Sequence, residues 1–347
     1  MSTIRRGIIP GGLFALVLID DLSLSRYGRW PWPRSLLARL VRATAAQRPE
    51  AIGLDILLSE AEDAQADIDL AKAFREAGNV VLAAKVSGSP QRLWVDPLPL
   101  FLANSAGVGH VQAVEDTGGI CRSVPVQELT AEGPRWALAL ETSRVARGGA
   151  FEERSGRPWL GKDQVNVDDA NRPNTTAWKS YAPQLLLIDF REQYSPGQQI
   201  PPFVVISAAE LLGGRSEPAL REKPVLIGFA ATELSDRLPT PVSSQMPMPG
   251  VEIHANLLDG LLNGRDLQHV TLFPQILFLV GFSLISTWLV LRWPGWEGVL
   301  LQTALLVVSY WAGYWLFASA HRLIAFGRFF VSAFWRYRSH NWKIWLS

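Results

Sequence analysis

Three short, mostly apolar runs near the amino terminus constrain the fold more than any other feature of this chain. They are Leu13 to Ile19 (LFALVLI), Ala51 to Leu58 (AIGLDILL) and Asn79 to Val86 (NVVLAAKV). Runs this short that lack polar alternation fit strands buried on both faces. Helical periodicity separates them. In Arg34 to Gln47 the residues Leu36, Leu37, Leu40, Val41 and Thr44 share one face, and Asp67 to Gly78 ends on a glycine suited to a helix terminus. Strand, helix, strand, helix, strand predicts a doubly wound α/β domain around a mostly parallel sheet.

The rest of the main domain reads less evenly. Residues 97–106 predict a helix. Residues 107–116 and 121–129 predict a hairpin inserted around the turn TGGI, and 135–146 a further helix. Residues 148–183 are polar, lack a clear period and read as a long irregular surface excursion. The core then resumes with a strand at 184–190, a helix at 203–214 stopped by Gly213-Gly214, a strand at 223–230 and a helix at 250–264.

A C-terminal transmembrane helical hairpin is expected beyond this. Residues 272–291 contain no charged side chain, and residues 298–320 form a second such run. Twenty apolar residues at about 1.5 Å each match the hydrocarbon thickness of a bilayer. RWPGWE joins the runs, with Trp293 and Trp296 placed as interfacial anchors. Residues 321–347 form a basic, aromatic tail (Arg322, Arg328, Arg336, Arg338, Lys343) that fits an interfacial segment or a damaged third span. At the other end, residues 1–12 read as a leader or remnant. Two early arginines imitate a secretory signal, but Pro10-Gly11-Gly12 interrupts the run.

Charge follows the same division. Residues 271–347 carry six Lys/Arg and one acid, net +5; the remainder carries 27 Lys/Arg and 31 Asp/Glu, net −4. An acidic main domain argues against nucleic-acid binding, which needs a basic face. The single cysteine, Cys121, excludes an intrachain disulfide. No phosphate loop, G-x-S-x-G elbow, H-E-x-x-H helix, kinase or cyclase signature is found, and the reading is of a protein that is no enzyme and takes no cofactor.

Candidate ligand-binding residues are Asp20, Asp21, Arg29, Trp30, Trp32, Arg34, Asp55, His110, Asp236 and His254. Asp20 and Asp21 follow the first strand, where open α/β sheets receive ligands, although helix or loop capping is the commoner use of such residues. In Trp30-Pro31-Trp32-Pro33-Arg34 the prolines fix φ and extend the residues before them. The segment is a rigid clamp or a ligand surface, with Arg29 and Arg34 free to pair with Asp20, Asp21 or Asp55. His110 and His254 lie in a strand and a helix pattern. The commoner use of such residues is as hydrogen-bonded, neutral core histidines; with an aspartate partner a histidine binds a metal or senses pH. Asp236 sits in a loop after a strand. His110, Asp116, Asp236 and His254 lack ligand spacing, so no metal is expected.

Three stretches, taken together, carry a resemblance. They are DDLSLSRYGRWPWPRSLLARLV followed by AIGLDILLSE, then GVGHVQAVEDTGGICRSVPV, then KPVLIGFAATELSDRLPTPVSSQMPMPGVEIHANLLDGLL. In this order, over residues 13–264, they resemble the type-two CHASE family of extracellular sensory domains. The resemblance implies a bacterial plasma-membrane protein with a periplasmic or extracellular sensory domain (residues 13–268). Partners would be an unknown small-molecule ligand, the lipid bilayer and a second copy of the chain. Family members carry one span before the domain, three after it and a cytoplasmic cyclase or kinase output. This chain lacks the first and third spans and the output, so a truncated or frame-shifted product is expected. Two spans would return the basic tail to the sensor's own side, against the preference of such tails for the cytoplasm. A structural membrane subunit that recruits a signalling partner is the alternative.

Overall fold

The computed structural model describes residues 12–88, 92–116, 118–154, 157–161, 163–165, 184–195, 201–232, 236–243, 246–264, 268–269, 272–320 and 322–323. It divides into two compact units, residues 1–167 with 172–266, and residues 168–171 with 267–347.

The first unit begins with β1 (Ala15–Ile19), α1 (Asp21–Tyr27), α2 (Arg34–Ala45), β2 (Ala51–Leu57), α3 (Ala64–Ala77) and β3 (Val80–Val86). There follow β4 (Trp94–Val95), α4 (Pro99–Leu102), β5 (Gly107–His110), β6 (Val114–Glu115), β7 (Cys121–Pro125), β8 (Gln127–Thr130), β9 (Gly133–Trp136) and α5 (Leu138–Arg147). Next come β10 (Phe151–Arg154), β11 (Arg157–Leu160), β12 (Asp163–Gln164), β13 (Leu185–Leu187), β14 (Val204–Ser207) and α6 (Ala208–Leu212). The unit closes with β15 (Pro224–Phe229), β16 (Arg237–Leu238), β17 (Met248–Pro249) and α7 (Gly250–Asn263).

The central sheet runs β14-β1-β15-β2-β3, and the far edge of β3 is shared by β5 and β4. Every pairing in it is parallel except β3 with β4. Alternate residues of each strand enter two separate cores, because successive side chains leave a strand on opposite faces. Ala15, Val17 and Ile19 join Ile52, Leu54, Val225, Ile227 and the apolar faces of α2, α3 and α6. Phe14, Leu16, Leu18 and Leu226 face Leu140 of α5 and Val251, Leu257 and Leu258 of α7. Helices thus cover both faces, and the doubly wound, mostly parallel α/β reading holds. Gly228 lets α7 approach: a Cβ there would lie 2.5 Å from the Val251 side chain.

Several expectations are corrected. Residues 107–129 are not one hairpin. β5 extends the parallel sheet against β3, and the antiparallel pair is β6 with β7, which also pairs with β13. The glycines of GVGH explain the difference, since they let α5 lie on β5. A Cβ on Gly109 would sit 2.6 Å from Leu138 Cα. Residues 203–214 divide into strand β14 and the short helix α6, because the β-branched Val204, Val205 and Ile206 favour the pleated edge beside β1. The helix expected over 97–106 is a single turn, and the one expected from residue 135 begins at Leu138, after β9. Part of the supposed irregular excursion is a three-stranded antiparallel sheet, β10-β11-β12; residues 166–183 lie outside the described residues.

The second unit holds α8 (Leu272–Arg292) and α9 (Trp296–Ala320), which pack on each other. Within it, the Gln302 amide donates to Ser286 Oγ at 2.6 Å. The expected pair of spans is not supported at this level: among the described residues, no helix is long and apolar enough to cross a membrane. Residues 1–11 and 324–347, the leader and most of the tail, lie outside the described residues.

Candidate functional site

The carboxyl ends of β1, β2 and β15 gather most of the candidate residues. Asp20 follows β1 and caps α1. Its Oδ1 accepts from Ser23 N at 2.9 Å, Ser23 Oγ at 2.6 Å and Ser207 Oγ at 2.7 Å. One carboxylate therefore ties α1 to the end of β14. Asp21 accepts from Thr232 N at 3.1 Å and from Thr232 Oγ1 at 2.9 Å, clipping α1 to the loop after β15. Both aspartates work as fasteners in this conformation.

Asp55 differs. It lies near the end of β2, half-buried, opposite Gly228 in the register, and its carboxyl has no hydrogen-bond partner among the described residues. Burial raises its pKa from the ordinary value to about 7, with the neighbouring charge of exposed Asp236 acting in the same direction. Asp236 stands at the start of α7, where its carbonyl accepts from Gly250 N at 2.9 Å and its Oδ2 lies 3.4 Å from a Cβ built on Gly250. Glu252, in the first turn of α7, is 2 % exposed and is raised to about 7 by burial, against the pull of Tyr194 N–H and Arg237. Arg237 holds the loop together, donating to the carbonyls of Ala230, Ala231 and Pro247.

The Trp-Pro segment is architectural on its buried side. Trp32 is 1 % exposed, donates Nε1–H to Gly28 O at 3.0 Å and packs edge-on against Tyr27. Trp30 is half-buried against Phe229 at the end of β15, with ring centroids 5.2 Å apart. The expected pairing of Arg34 with Asp20, Asp21 or Asp55 does not form. Arg34 is buried, donates to Glu60 O at 2.8 Å and faces Glu62 and Asp67 at 3.4 Å. The reason is geometric: α2 turns its first residue toward the loop leading into α3. Arg29 is exposed at the surface.

His110, the last residue of β5, and His254, near the start of α7, come together beside residues 111 and 112. Both are buried and neutral. Burial lowers His110 to about 3, and His254 when protonated repels a charge there too, against a weaker pull from the Pro125 carbonyl. Burial lowers His254 to about 4, against a weaker pull from the Val111 carbonyl. Asp116 lies apart from them, pairing with Arg122 in the turn between β6 and β7. Among the described residues no group of three or more His, Cys, Asp or Glu could hold a metal ion.

Sequence reasoning missed Glu252, Arg237, Ser207 and Thr232. Glu252 was hidden because an acid in the first turn of a helix is an ordinary, exposed choice. The clue lay in its neighbours, since Val251, Glu252, Ile253 and His254 belong to a helix apolar on more than one face.

The fold and this edge define a class: a three-layer α/β domain whose loops converge at the carboxyl ends of parallel strands, the place where such sheets receive ligands. The chain belongs to the CHASE2 domain family, which matches residues 1–291. CHASE2 domains are extracellular sensory domains, and this membership supports a sensory role for the α/β unit. No curated protein and no solved structure matches the chain.

Proposed function

We propose that the chain is a membrane-anchored, extracytoplasmic sensor module of a bacterial signalling system, without catalysis of its own. A small ligand reaches the carboxyl edge of the sheet, and a cytoplasmic cyclase or kinase reads the result. The observation that carries this reading is family membership running through residue 291, which joins the sequence of α8 to the sensory domain.

Three features support the finer parts. Asp55 offers a half-buried carboxyl without a protein partner among the described residues, near the strand ends that also bear Trp30, Phe229 and Asp236. It would take a ligand carrying a hydrogen-bond donor. The α8 and α9 backbones run for 21 and 25 residues, or about 32 and 38 Å at helical rise. Many of their described apolar side chains face outward, with Phe273, Leu291 and Trp296 all more than 70 % exposed, which suits lipid contact. Finally, only residues 264–271 separate α7 from α8, so a shift of α7 has a short covalent route to the hairpin. A ligand drives that shift by binding one of two arrangements more tightly than the other.

The test uses the full chain in bacterial spheroplasts. Exposed Ser25, on α1, is replaced by cysteine, and Cys121 stays silent because it is buried. The expected result is a chain that resists alkaline extraction from membranes and is labelled by a membrane-impermeant maleimide from outside. A soluble chain, or labelling that begins only after lysis, would overturn the reading.

A further inference from the structure

Two buried histidines that the acid-lined edge does not use converge on one short piece of backbone. β5 ends at His110, and residues 111–113 then leave the parallel sheet for β6. His110 Nδ1 accepts from Gln112 N at 3.2 Å, so the ring ties down its own exit segment. His254, entering the second turn of α7, reaches the same segment from the other side: the Val111 carbonyl accepts from its ring. His110 is 0 % and His254 2 % exposed. Each ring keeps one buried nitrogen, Nε2 of His110 and Nδ1 of His254, without a well-formed hydrogen bond.

A neutral imidazole is one donor and one acceptor; an imidazolium is two donors and no acceptor. Protonating His110 therefore removes the acceptor that holds Gln112 N–H. Protonating His254 adds a buried N–H at Nδ1 that meets no acceptor among the described residues. The Pro125 carbonyl favours a charged His110, but burial outweighs it. Among the described residues neither charge has a counter-ion. Asp55 on β2, Cys121 on β7, Glu252 and Asp259 on α7, and the Glu141–Arg144 pair on α5 do not act on either ring. His254 is the charge that acts on His110, and it repels.

We propose that His110 and His254 form a proton-operated latch: neutral, they hold the exit of β5 against α7, and in acid the segment from His110 to Gln112 lets go. The inference concerns the α/β unit alone and stands apart from the membrane reading. Exposed imidazoles titrate near 6.5, whereas the latched rings stay neutral to about 3 and about 4. At pH 5 each ring then favours release by roughly 30-fold, and the two together by up to roughly 1000-fold.

Hydrogen exchange of the full chain in mild detergent, at pH 7.5 and pH 5.0 and corrected for intrinsic rates, reads this directly. Peptides covering residues 107–114 should lose protection in acid by roughly 100- to 1000-fold. His110→Gln, whose amide oxygen still accepts the Gln112 N–H, should cut the response to roughly 30-fold, and adding His254→Gln should abolish it. Unchanged protection in the wild type, or a pH response that survives in the double variant, overturns the latch. Should the variants fail to fold, the histidine ring resonances of the wild type decide. Two rings silent between pH 5.5 and 8 support the latch, and four or five rings titrating near 6.5 overturn it.

Discussion

Replacing Asp55 by asparagine isolates a half-buried carboxyl that has no hydrogen-bond partner among the described residues. In the folded domain Asp55 keeps its proton up to about pH 7, because burial and the charge of Asp236 both oppose ionisation. In the unfolded chain it ionises near 3.8. Between these values the native state holds a proton that the unfolded state has released, so stability falls as pH rises. The cost is absent below the unfolded pKa and complete above the folded one. Each unit of pKa difference is worth about 1.4 kcal/mol, so between pH 5 and pH 8 this one group removes roughly 2 to 3 kcal/mol from the wild type. Partial exposure of Asp55 places the effect toward the lower figure. The amide of the D55N variant has nothing to ionise. The assay is urea unfolding of both full-length proteins in the same mild detergent, followed by tryptophan fluorescence at pH 5, 6, 7 and 8. The variant should gain on the wild type by roughly 2 kcal/mol as pH rises from 5 to 8, most of it below pH 7.5. A stability difference that is the same at pH 5 and pH 8 would show that Asp55 is ionised throughout, and the reasoning would fail.

Glu252→Gln should act with the same sign, because burial raises this carboxyl to about 7 as well. Its advantage over the wild type should grow by roughly 2 kcal/mol from pH 5 to pH 8 in the same urea titration. Asp20→Ala removes the α1 cap and the acceptor shared by Ser23 and Ser207. A loss of about 1 to 3 kcal/mol is expected at pH 7, and Asp20→Asn should recover part of it. Gly109→Ala places a methyl 2.6 Å from Leu138 Cα and 2.9 Å from its backbone nitrogen, where no side chain can turn aside. It should cost about 1 to 3 kcal/mol and loosen hydrogen-exchange protection in β5 and α5.

Much of the parallel core was legible because its strands announce themselves locally. β1, β2, β3 and β15 are short apolar runs with helical faces between them, and both strand faces found cores as that pattern requires. β14 was not legible. Its Val-Val-Ile run is followed, after one serine, by Ala-Ala-Glu-Leu-Leu, so one mostly apolar stretch contains a strand and a helix, and only pairing with β1 sets the boundary. β5 was lost for a related reason: GVGH has almost no side-chain signal, and its partner β3 lies more than twenty residues away. At the site, Asp20, Asp21, Asp55 and Asp236 were legible as acids in or after strands. Their division into fasteners and a free carboxyl was not, because it depends on Ser207 and Thr232, which other parts of the chain deliver. The Arg34 partners failed for the same reason.

The two kinds of buried titratable group oppose one another, which explains how a sensory domain can tolerate both. Between about pH 4.5 and 6.5, unfolding releases protons from Asp55 and Glu252 and takes up protons on His110 and His254. Two are lost and two gained, so the slope of global stability from these groups is close to zero across that window. A local opening breaks the symmetry. If only the exit of β5 leaves α7, the histidines meet water while Asp55, on β2, and Glu252, near the start of α7, remain where they are. The opening then takes up protons without releasing any. Acid would change the state of one segment while leaving the stability of the whole domain almost untouched. That is what a sensor needs from a pH input, since a domain that answered acid by unfolding would lose its signal with its structure.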